Sequence, residues 1–102
     1  MRAYRLIRDY ENPDLPLERR LPSLARRFTC LEDAQGLDPW SPERFHSWIE
    51  SMGNNSPAWH AGHLILNVSG GGPWRKFDAI AAIGAWNEKD RATFAAWART
   101  WM

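Results

Sequence analysis

"SPERFHSWIESMGNNSPAWHAGHLIL", residues 41–66, is the stretch whose reading decides the fold. It carries two Ser-Pro pairs, Ser41 with Pro42 and Ser56 with Pro57. A serine oxygen can accept a first-turn backbone N–H, and a proline at the first helical position has no N–H to leave unpaired. Glu43 then suits the positive end of the helix dipole. Phe45, Trp48, Ile49 and Met52 recur at i, i+3, i+4 and i+7, the spacing of a buried helical stripe. Gly53 and Asn54 supply a stop. The second start opens "PAWHAGHLILNV", read as a helix with Trp59, Gly62, His63 and Leu66 on its inward stripe. His60 falls nearer Leu64 and Asn67 and is expected half exposed. A strand over 63–68 is the alternative, because short apolar runs fit both periods.

Upstream, "LERRLPSLARRFTCLEDAQG" places Leu17, Leu21, Leu24 and Phe28 at helical spacing, with Gly36 as a stop. Pro22 inside that pattern must kink the helix or start it afresh. Residues 1–15, with prolines and Asn/Asp turn chemistry at "ENPDLP", are read as an arm or a short helix. Downstream, the Gly-rich connection 69–73 breaks the chain. "WRKFDAIAAIGAW" is apolar nearly all round, which predicts a helix at the centre of a bundle. Asn87 caps a last helix whose inward face is Phe94, Trp97, Ala98 and Trp101. The short link between these two helices predicts antiparallel neighbours. The fold expected is therefore all-α: a small single domain of about five helices spanning 1–102.

The 102 residues fit one domain, and 44% hydrophobic with 25% charged residues is ordinary for a soluble globular chain. No run is apolar and long enough for a membrane span, and "MRAYRLIRDYENP" has no signal-peptide pattern. One cysteine, Cys30, cannot form an internal disulfide, which fits a cytoplasmic protein. The arginine bias, eleven against two lysines, suggests a GC-rich bacterial or phage source. Net charge is +1, divided as +3 over residues 1–30 and −2 over 31–102. A helix-turn-helix reading of 45–66 meets the objection that no Lys or Arg lies between Arg44 and Arg75, whereas phosphate contacts dominate DNA affinity. Nucleic acid is not the expected ligand.

Seven tryptophans are the outlying count. Each can bury roughly 200 Å², so most are expected in the core, with the remainder on a binding surface. Trp40, Trp74 and Trp101 flank breaks or the terminus and are the expected exposed aromatics. Arg26 and Arg27 are the expected charged contacts, on a segment that also holds Arg19 and Arg20. "SGGGPW" lacks the ending of a P-loop, although Arg75 and Lys76 just beyond it would flank a helix N-terminus. Cys30 and Ser69 lack the neighbours of a catalytic nucleophile. No catalytic set emerges, and an enzyme is not the favoured reading.

His60 and His63, three apart on one helix, can face one metal ion. A catalytic zinc site needs three protein ligands, and His46, Cys30, Glu50 and Asp78 are the candidates for the third. "SPAWHAGHLIL" resembles the short Trp-His…Gly-His-Leu segment of the DinB-like family of metal-dependent four-helix bundles, over about ten residues. The resemblance implies a metal held by a histidine of this helix and a later histidine pair. No histidine follows His63 in this chain. Two expectations result. The first is a protein–protein interaction module, regulatory or inhibitory, with an unknown protein partner or a second copy and no cofactor. The alternative is a bundle that binds zinc, nickel or another ligand through His60 and His63, with His46.

Overall fold

The computed structural model describes residues 14–70, 72 and 74–101. The expected arm therefore falls almost wholly outside the described residues, as does part of the Gly-rich connection. Five α-helices follow in order: α1 (Leu17–Ala25), α2 (Pro42–Glu50), α3 (Pro57–Ser69), α4 (Ala79–Ala85) and α5 (Glu88–Trp101). A 3-10 turn, Thr29–Leu31, lies between α1 and α2. Among the described residues there is no strand, and the all-α expectation holds.

Both Ser-Pro starts work as the sequence implies. Ser41 Oγ accepts the Arg44 N–H at 3.3 Å, and Ser56 Oγ accepts the Trp59 N–H at 3.1 Å. The strand alternative for 63–68 is excluded, since α3 continues to Ser69 and ends on Gly70 in the left-handed region. Met52, however, is exposed. α2 stops at Glu50, and Gly53 and Asn55 with positive φ turn the chain away before the stripe reaches its fourth member.

The centre of the bundle is α3, not the 77–86 segment. Residues 58–66 of α3 are buried on every side. α1, α2, α4 and the 3-10 turn all pack on it. α4 has only seven residues because Asp78 Oδ1 accepts the Ala81 N–H and starts the helix there. Its Ile80 is 86% exposed and only Ala82 is buried. The apolar character of that stretch is used at its two ends. Phe77 and Trp86 join Phe28 and Phe94 in an aromatic cluster, with ring centroids 5.1 Å (Phe28–Trp86), 5.5 Å (Trp86–Phe94) and 5.9 Å (Phe77–Phe94) apart. The Trp86 indole N–H also donates to the Pro57 carbonyl at 3.1 Å, tying this cluster to the start of α3.

α4 and α5 are not the packed antiparallel pair that their short link predicts. α4 lies on α3, while α5 lies on the 3-10 turn. The anchor is Asp90, buried in the first turn of α5. Its carboxylate accepts the Thr29 backbone N–H at 2.7 Å and the Thr29 hydroxyl at 2.9 Å. Asn87 caps the same turn as expected, accepting the Asp90 N–H at 2.8 Å.

α1 passes through Pro22 without restarting, and Pro22 still accepts the Arg26 N–H at 3.0 Å. It ends at Ala25, well before Gly36. The N–H groups of Arg27 and Phe28 turn back to Leu24 and Ala25, both at 3.0 Å, tightening the last turn. Gly36 serves a different purpose. At φ +85°, it lets the loop pass so close to α2 that a Cβ there would lie 2.5 Å from the Phe45 nitrogen.

The second close approach is between helices. A Cβ on Gly62 of α3 would lie 2.3 Å from Ile49 Cγ2 and 2.9 Å from Ile49 Cβ on α2. Ile49 therefore occupies the space a side chain at 62 would need. Gly62→Ala should lower stability by roughly 1–2 kcal/mol, overpacking outweighing alanine's better helix propensity. Denaturant melts of Gly62→Ala alone and in an Ile49→Ala background check this, with a smaller loss expected in the latter. A stability gain for Gly62→Ala in the otherwise unchanged protein would show that the space is open.

Candidate metal centre

His46 and Glu50 are four residues apart on α2 and so share a face. α3 brings His63 onto that face. The packing pair Ile49 and Gly62 is one residue N-terminal to Glu50 and His63 on the two helices, so the close approach of the first pair delivers the second. His63 Nε2 lies 3.0 Å from Glu50 Oε2, and His46 Nε2 lies 3.4 Å from the same oxygen. Each of the three offers one ligand atom, and these atoms all lie within 4.8 Å of one another. Side-chain exposure is graded: 1% for His63, 38% for His46 and 42% for Glu50. The cluster thus has a buried floor and an open side.

Burial pushes the His63 imidazole below its ordinary pKa, against the opposing pull of its hydrogen bond and charge interaction with Glu50. The ring is thereby kept neutral, the form in which a nitrogen can ligate a metal. For Glu50, desolvation works to raise the carboxyl. The His63 hydrogen bond, the charges of His63 and His46, and a hydrogen-bonding contribution from Trp59 outweigh it and hold the group low. With Glu50 ionised, Nε2 of a neutral His63 donates to it, so a metal ion bound between the two would take the place of that proton. The His63 Nδ1 is then a buried lone pair with no hydrogen-bond partner.

Aromatic rings wall the cluster. Trp59 packs 4.4 Å from His63, centroid to centroid, and Trp74 packs 5.0 Å from His46. Asn67 Nδ2 donates to the carbonyls of His63 at 2.7 Å and Arg75 at 2.8 Å, so the segment after the Gly-rich turn is pinned to α3 beside the site. Arg75 stands over the Trp59 ring, 5.5 Å from its centroid.

The sequence-based candidates divide. His46 and His63 come together, and Glu50 is the third member. His60 does not belong to the set. It is 3% exposed rather than half exposed, edge-on to Trp59 at 5.2 Å, and burial lowers its pKa with partial compensation from Asp78. Cys30 lies at the 3-10 turn beside Asp90. Burial, then the Asp90 charge and hydrogen bond, push its thiol far up, making it a poor thiolate ligand or nucleophile. Arg75 and Lys76 do not flank a helix N-terminus, because α4 starts only at Ala79.

The expected surface aromatics are less exposed than their flanking breaks suggest. Trp40 is half-buried against Phe45, 5.5 Å away, and Trp74 is half-buried with its indole nitrogen enclosed. The Trp101 side chain lies outside the described residues. Arg26 and Arg27 are exposed as expected. Arg26 shares a cleft of about 480 Å³ with Arg44, Glu32 and Asp38, a lining of mixed charge. α3, enclosed over 58–66, has no free face to enter a DNA groove, which removes it as a recognition helix. Sequence reading passed over Trp59, Trp74 and Arg75 as a shell around the histidines. Glu50 was among the candidate third ligands, and its four-residue spacing from His46 is what places the two on one face.

Comparison with family models, with curated proteins and with solved structures finds no match, which leaves the geometry as the ground for a functional reading.

Proposed function

We propose that this chain is a metal-binding helical module whose centre is His46, Glu50 and His63. The observation that carries the reading is the convergence of two imidazoles and one carboxylate from two helices within 4.8 Å. Two histidines and a glutamate make a known catalytic zinc ligand set, and two histidines with a carboxylate also suit other first-row divalent ions. Zinc is the first choice and nickel the second, bound by borderline nitrogen donors with one carboxylate oxygen. The Glu50 oxygen already lies 3.0 Å from His63 Nε2 and 3.4 Å from His46 Nε2, close to the roughly 3.3 Å that separates donors about 2.0–2.1 Å from a tetrahedral zinc.

A protein-interaction role has separate support in Ile80 and Ile83, one turn apart on α4 and both exposed. Exposed apolar side chains at helical spacing suit contact with a protein partner or a second copy. The earlier basis for that role, surface tryptophan, carries less weight now that Trp40 and Trp74 pack inward.

After dialysis against zinc, elemental analysis should find one zinc per chain. His46→Ala, Glu50→Gln and His63→Ala should each weaken binding by more than about tenfold, while His60→Ala retains the metal. A metal-free chain, or loss of zinc in His60→Ala alone, would overturn the assignment. For α4, Ile80→Asp should reduce self-association measured by sedimentation, and an unchanged sedimentation profile would count against an interface between copies.

A further inference from the structure

We infer that the metal centre takes a small oxyanion, a carboxylate or phosphate group, as an exchangeable ligand whose outer oxygens pair with Arg75. The inference rests on the metal-binding reading and adds the class of ligand.

Three protein ligands leave a four-coordinate ion one position short. The open position faces the exposed side of the cluster, since His63 closes the interior and His46 and Glu50 are the members that reach solvent. Hard and borderline divalent ions readily accept an anionic oxygen there. What distinguishes this site from a bare three-ligand cluster is a cation one aromatic ring away from it. Arg75 sits over Trp59, whose ring is itself packed on His63.

Arg75 is exposed, and among the described residues its guanidinium has no carboxylate partner. A guanidinium held on an aromatic face is pre-oriented and keeps its N–H fork for another acceptor. The backbone beneath it is fixed as well. Asn67 joins the Arg75 carbonyl to the His63 carbonyl, so Arg75 keeps its place relative to a ligand residue rather than swinging with the Gly-rich turn. Two positive centres joined through Trp59, a metal ion and a planar fork, fit an anion with two or three oxygens better than a neutral donor. The Arg26 and Arg44 cleft, in contrast, brings its own counter-charges in Glu32 and Asp38.

The test uses cobalt(II) as a spectroscopic stand-in for zinc in the full chain, at constant ionic strength. Inorganic phosphate and acetate are titrated separately, and the visible cobalt bands report changes at the metal. Both anions should shift the bands saturably. Arg75→Gln should weaken that response by about tenfold or more, the size expected for losing a charged hydrogen bond, while cobalt affinity stays within about twofold. Arg75→Lys should recover only part of the response, because a point charge cannot replace the fork. A cobalt-loaded protein whose spectrum ignores both anions, or an Arg75→Gln response equal to that of the unaltered chain, would overturn the inference and leave metal binding intact. Failure to bind cobalt at all would overturn both.

Discussion

The contact between Gly62 and Ile49 sets how near α2 comes to α3, and most of what is specific about this structure depends on that distance. The Ile49 side chain fills the space a Cβ at 62 would take. α3 can therefore be enclosed by its neighbours over nine consecutive residues, 58–66. One position further along each helix, the same approach places the Glu50 carboxylate 3.0 Å from the His63 ring. Packing and site are thus consequences of a single small residue. A larger one at 62 would push α2 outward and open the cluster that Glu50 closes.

Opposing costs meet at His63. Burial alone would make a polar ring expensive, since an unpaired buried polar atom costs on the order of 1–3 kcal/mol. Glu50 pairs one ring nitrogen, and Nδ1 remains without a partner. Trp59 covers the ring, and Asn67 satisfies the His63 carbonyl. These neighbours fix the imidazole in place, so in the proposed centre the interior would supply one fixed ligand and α2 the two more exposed ones. Such a division would let the proposed centre hold an ion and still exchange what is bound on its open side.

Much of the fold was legible because helix starts are local. Ser41 with Pro42, Ser56 with Pro57, and Asn87 each declare a cap within three residues, and each forms as read. Helix ends and depth were harder. α1 stops at Ala25 through tightened backbone turns that involve no marker residue, while Gly36, which resembles a stop, serves loop passage over Phe45. The apolar run after the glycines reads as a central helix. Its cap at Asp78 shortens it, leaving Ile80 and Ile83 outside. The grouping of the histidines was hard to read for a related reason. The i, i+3 spacing of His60 and His63 suggested a pair, but α3 is buried all round, and although both rings pack on Trp59, only His63 meets Glu50. The partner of His63 comes instead from another helix across a turn, and no spacing rule within one helix can place it.

X-ray absorption at the zinc edge of the loaded protein tests most directly whether the α2–α3 contact builds this centre. The account predicts two imidazole nitrogens at roughly 2.0–2.1 Å with oxygen completing the shell. It also predicts loss of one imidazole in His46→Ala and no change in His60→Ala. A sulfur shell at roughly 2.3 Å, or an imidazole count that falls with His60 and not with His46, would contradict it.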